Sequence, residues 1–171
     1  GERVDARDFH FGDPAWHIEL PHALADGEVD FTLGIEKPGS PLALGWSDDT
    51  RPLGIHVHAI TLLPADDEAT KAALERERRH VRWSGRGEAA RRRLRVRPGE
   101  ELELSDLGDY GGFGDGWAHP EDTGIWTHGS RSELALSLDG LSDGDHVLAL
   151  ALGNICVEPG GSLRVEALLN G

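Results

Sequence analysis

The chain of 171 residues contains no methionine, one cysteine and one tyrosine. A lone cysteine excludes an internal disulfide and is compatible with a reducing compartment, so the cytoplasmic side is favoured over secretion. Cys156 lies between Ile155 and Val157 and reads as a buried strand thiol rather than a nucleophile. The missing methionine, an initiator included, points to a processed product or a piece of something longer. Long hydrophobic runs are also missing. The longest, around Val147 to Leu152, is far too short to span a bilayer. Basic residues are in the minority, 17 Lys and Arg against 31 Asp and Glu, for a formal charge of −14. That balance excludes general nucleic-acid affinity, which needs a basic face. The G-x-S-x-G, H-E-x-x-H and G-x-x-x-x-G-K-[ST] patterns are absent, and Gly111-Gly112-Phe113-Gly114 shares only the composition of a phosphate loop.

Short strands dominate what is present. Val4, Ala6, Phe9 and Phe11 loosely alternate with polar residues up to the Gly12-Asp13-Pro14 turn, and Trp16 to Leu20 alternates again. Val29, Phe31, Leu33 and Ile35 alternate cleanly with polar or small residues, which predicts a half-buried strand. A loop across Pro38 to Gly54 leads into an apolar run from Ile55 to Leu63. Leu102 and Leu104 alternate, as do Leu134, Leu136 and Leu138. Val147 to Leu152 is continuously apolar, as in a strand covered on both faces. Leu163, Val165 and Ala167 alternate after the Pro159-Gly160-Gly161 turn. Strands at this spacing, separated by Gly, Pro and Asp turns, predict an antiparallel β-sandwich or jelly roll over residues 1–171.

One segment differs. Asp66 or Asp67 can cap a helix that Ala69, Ala72, Ala73 and Leu74 continue, so 65–99 reads as a peripheral helical connector, with Leu94 to Val96 beginning a short strand. Arg76 to Arg97 holds ten arginines against Glu77 and Glu88. It suits contact with acidic lipid, anionic polysaccharide or a partner's acidic face, against the plainer reading of a solvated helix balancing the chain's own charge. In this picture the front and back thirds supply facing sheets of one apolar interior, and the middle lies outside.

Residues 105–129 (SDLGDYGGFGDGWAHPEDTGIWTHG) carry two of the five tryptophans, five carboxylates and seven glycines. Most of the stretch has neither helical nor strand periodicity, which predicts an ordered loop pinned by Trp117 and Trp126. Flat sugar faces stack on exposed aromatic rings, so Trp117, Trp126, Trp46 and Trp16 are candidates for a carbohydrate platform. Packing of the interior is the preferred role for Trp117 and Trp126. Trp46, beside Asp48 and Asp49 in a loop, is the better binding candidate. Asp106, Asp109 and Asp115 offer oxygen ligands for a structural calcium ion, against the alternative of solvated turn residues. Glu121 joins the ligand-binding candidates, or else holds Arg51 or Arg131 in an internal ion pair. His56 and His58 alternate along one strand, and His17, His22, His119 or His128 could complete a zinc set, although spacing alone does not make them converge.

Two sets of motifs resemble a β-sandwich accessory module of bacterial surface-polysaccharide glycosyltransferases and phosphoglycerol transferases. One set is Gly116-Trp117, Pro120-Glu121, Trp126-Thr127-His128-Gly129 and the closing Asn170-Gly171. The other is Ser40-Pro41, Leu44-Gly45, Asp49-Thr50-Arg51 and Leu53-Gly54-Ile55. Their order is inverted relative to that family, so a circular permutant, an excision from tandem repeats and an exchange between chains all fit. A self-complete permuted sandwich is preferred. The resemblance implies a non-catalytic module, binding carbohydrate or positioning a glycosyltransferase catalytic domain in polysaccharide biosynthesis. The alternative is a structural module that oligomerises by strand or helix exchange.

Overall fold

The computed structural model describes residues 1–21, 27–64, 93–104, 111–141 and 145–170. They form ten strands: β1 (Glu2–Phe9), β2 (Ala15–Leu20), β3 (Glu28–Ile35), β4 (Leu53–Pro64), β5 (Leu94–Val96), β6 (Glu101–Glu103), β7 (Ile125–His128), β8 (Arg131–Leu138), β9 (His146–Ile155) and β10 (Leu163–Asn170). The protein is mainly β. The described residues include no helix. One sheet has the order β1-β10-β3-β8-β5, the other β2-β9-β4-β6, with β7 also paired to β4. The pairings between named strands are antiparallel except β5 with β8.

Each sheet therefore interleaves strands from the first 64 residues with strands from beyond residue 93, with β5 beside β8 the one neighbouring pair from the same part of the chain. The expectation of one sheet from each third is corrected: neither end of the chain builds a sheet without the other. The apolar cluster is likewise shared. Val29, Phe31, Leu33 and Ile35 of β3 are buried with Leu134, Leu136 and Leu138 of β8 and with Leu163, Val165 and Ala167 of β10. The same cluster takes Trp16, Ile18 and Leu20 from β2, Ile55, Val57, Ile60 and Leu62 from β4, and Leu148, Leu150 and Leu152 from β9. A large aliphatic side chain buried this way contributes roughly 1.5–3 kcal/mol. A one-residue slip would turn a whole strand's set outward, so the alternation pins the register.

Two strands change phase midway. The core-facing positions of β4 run Ile55, Val57, then Ile60, Leu62, and those of β9 run Leu148, Leu150, Leu152, then Ile155. The pairing explains both. Val57 lies opposite Leu152 and Ala59 opposite Ala151, which leaves His58 as an extra residue. His56 lies opposite Asn154, which leaves Gly153 extra on the other strand. A bulge re-aims the side chains beyond it and bends its strand, and here two face each other across one ladder.

Two local expectations change. The β1 alternation is broken by an irregularity between Arg3 and Asp5, and the strand stops at Phe9, so Phe9 is buried while Phe11 sits exposed in the turn. The stretch read as a non-periodic loop contains β7. The helical connector falls mainly on residues 65–92, outside the described residues, and the short strand expected at Leu94 to Val96 is β5.

Candidate functional site

Antiparallel pairing gathers several connections at one end of the two sheets. Phe9 is opposite Leu163, Ile35 opposite Val165, Gly34 opposite Arg131, and Leu53 opposite His128. The turns 10–14, 129–130 and 156–162 and the long loop 36–52 therefore lie together, joined by segment 111–124.

The long loop is closed by its own backbone. Leu53 N–H donates to Gly39 O (2.7 Å), Leu42 N–H to Asp49 O (2.8 Å) and Trp46 N–H to Pro41 O (2.9 Å). Arg51 grips Asp49 through two nitrogens, Nη2 to Oδ2 at 2.6 Å and Nε to Oδ1 at 3.0 Å. Those hydrogen bonds hold the Asp49 carboxyl below the usual carboxylate range. Arg51 also reaches Glu121 at 3.6 Å, while Arg131 pairs with Glu133 at 3.0 Å. Of the two ion-pair partners open to Glu121, Arg51 is the one in contact.

Beneath this loop is a second, small apolar cluster of Leu53, Ala118, Trp126 and Cys156, with Leu44 packed against it. It covers the outer side of β4 and β7 and brings together the two motif sets read from the sequence. Ile55 N–H donates to Thr127 Oγ1 at 2.9 Å, and Gly129 N–H to Pro52 O at 2.7 Å. Burial pushes the Cys156 thiol up to about 11, so it is not a nucleophile near neutrality.

His56 forms part of the same outer layer. It faces Trp126 across the β4–β7 ladder, ring centroids 4.9 Å apart. A Cβ at Gly153 would fall 2.5 Å from His56 Nδ1, so the second bulge is where the imidazole finds room. His56 is 4% exposed, and its Nε2 has no hydrogen-bond partner. Burial lowers its pKa, Glu121 opposes that shift, and His58 adds to it.

Against this buried layer stands an exposed one. Phe11 (61% exposed), Leu42 (50%) and Trp46 (39%) are the exposed large hydrophobic side chains among the described residues. All three are on two loops of this end. Phe11 and Trp46 touch, with ring centroids 6.1 Å apart and planes at 67°. Trp46 is legible from its loop context. The alternation pattern places Phe11 on a strand face, whereas its position beside the Gly12-Asp13-Pro14 turn is the signal for exposure.

The other tryptophans pack. Trp16 is fully buried and donates Nε1–H to Asp5 Oδ2 at 2.6 Å. Trp126 is buried. Trp117 is half-buried, donates to Glu133 O at 2.6 Å and meets Phe113 edge to face. Asp48 and Asp115 are exposed, and Asp106 and Asp109 lie outside the described residues. Among the described residues no three His, Cys, Asp or Glu side chains converge as metal ligands, and no helix is long and apolar enough to cross a membrane. Comparison with protein-family models, curated proteins and solved structures finds no match to the chain.

Proposed function

We propose that the chain is a non-catalytic, jelly-roll-like β-sandwich module that binds carbohydrate through the face made by Phe11, Leu42 and Trp46. The single observation behind this reading is that the exposed large apolar side chains of the described residues meet at one end, on loops held rigid from below. Solvent-facing aromatic rings provide an apolar surface for the C–H faces of a sugar. The Arg51, Asp49 and Glu121 network fixes the loop that carries Trp46, so little ordering entropy remains to be lost on binding. The resemblance to the accessory modules of polysaccharide-building transferases agrees with this role. Its two motif sets meet at Thr127 and Ile55, which supports a permuted, self-complete module.

Self-association through the same face is the second reading, since an apolar patch also suits a second copy of the chain. A glycan array probed with the intact chain separates them. Binding to one group of glycans, lost in Trp46→Ala, is the expected result. No glycan signal, together with a mass that rises with protein concentration, would reject the carbohydrate role in favour of assembly.

A further inference from the structure

The charged groups around the aromatic face bear on which glycans it accepts, a question of selectivity that rests on the carbohydrate reading. Five cationic side chains occupy this end among the described residues, and each already has a carboxylate. Arg7 is 3.8 Å from Asp13, Lys37 is 3.9 Å from Glu36, Arg131 is 3.0 Å from Glu133 and Arg164 is 3.5 Å from Asp8. Arg51, whose planar fork best matches a carboxylate or phosphate, is closed on Asp49 at 2.6 Å. Meanwhile Asp48, two residues from Trp46, is exposed, and so are Asp122 and Glu158. None of these three has a cation opposite it among the described residues. The whole chain carries a formal charge of −14.

We infer that the Phe11–Trp46 face selects uncharged glycans and turns away anionic ones such as uronate, sulfate or phosphate polymers. An anionic chain would compete with a carboxylate already beside each of these cations, and it would approach a surface of its own sign. A neutral sugar needs only the apolar rings and hydrogen-bonding groups such as the Asp48 carboxylate and the Ser47 hydroxyl. The angle between the rings adds a constraint. At 67° they cannot both lie on one flat crystalline surface, so the ligand is a soluble chain or chain end that turns around the corner.

The test is calorimetric titration of the intact chain at pH 7.5 in 20 and 300 mM NaCl. The neutral probes are hexasaccharides of glucose (β-1,4, β-1,3 and α-1,4 linked), mannose and N-acetylglucosamine. The anionic probes are oligogalacturonate and dextran sulfate. At least one neutral probe is expected to bind with an affinity that changes less than twofold between the two salts. Anionic probes are expected to show no binding at low salt. Asp48→Lys places an unpaired cation beside Trp46 without touching any ion pair described above, and it is expected to gain salt-sensitive binding of the anionic probes. Tight anionic binding to the unaltered chain, weakened by salt and lost in Trp46→Ala, would overturn the selection while leaving the carbohydrate role standing. If no probe binds, the carbohydrate role itself falls.

Discussion

Glu2 lies opposite Leu169 in the β1–β10 ladder, so the first and last strands run side by side. Asn170 closes β10, and the Asn-Gly-Gly sequence that joining residue 171 to residue 1 would create has the composition of a tight hairpin connection. Joining residue 171 to residue 1 and opening the chain at the exposed Pro159-Gly160 turn should therefore give a protein that unfolds cooperatively, within a few degrees of the original melting temperature. A permutant without a cooperative transition would contradict the shared core.

Trp16 and Asp5 make the clearest test of how the two sheets are fastened. The indole N–H is fully buried and has the Asp5 carboxylate as its partner. Asp5→Ala should cost about 1–3 kcal/mol, the usual penalty for an orphaned buried donor. Chemical denaturation should show the loss as a lower midpoint with an unchanged slope. A change under about 0.5 kcal/mol, the ordinary range for surface positions, would mean that the bond contributes nothing.

His56 gives a pH dependence whose sign can be worked out. Its folded pKa is depressed from the ordinary 6.5, with burial as the main cause. Between the two values the unfolded chain binds more protons, so stability rises with pH there. The contribution is full above about 6.5 and is lost as pH falls through the folded value. His56→Phe keeps a ring against Trp126 and removes the orphaned Nε2. It should be at least as stable as the parent at pH 7.5, and its advantage should grow toward pH 5. An identical pH dependence in both proteins would rule out His56 as the source.

Cys156 should report opening of the small cluster that buries it. Its thiol is buried and its pKa is pushed up to about 11, so a thiol reagent at pH 8 should label it only through opening of the small cluster beneath loop 36–52. Labelling should accelerate with denaturant in step with loss of structure. Immediate labelling in buffer would show that cluster to be open.

Much of the fold is legible in the sequence because alternation is a direct imprint of a half-buried strand. β3, β8 and β10 follow their apolar periods residue by residue. The register of β4 and β9 is not legible, since a run such as Ile55 to Leu63 is apolar at nearly every position and hides a phase change. The double bulge at His58 and Gly153 becomes visible only from the pairing, although an interior glycine in a strand is a hint. The site is half legible. Trp46 stands out as an aromatic among Ser and Asp, and charge narrows the partner of Glu121 to Arg51 or Arg131, between which only the structure chooses. Phe11 escapes the alternation reading, and the Gly12-Asp13-Pro14 turn beside it is the one local signal that β1 ends before it. The sugar-platform candidacy of Trp117 and Trp126 rests on residue type, and their hydrogen-bond and ring partners place them in packing positions.

The most direct test is a double-mutant cycle on Phe11 and Trp46, read as affinity for a neutral hexasaccharide identified in the titrations, with melting temperatures measured alongside. Each alanine substitution should weaken binding about tenfold or more, the double variant should lose less than the two combined, and all three should melt near the parent temperature because both rings are exposed. Full affinity in the double variant would contradict the assignment of this face as the binding surface.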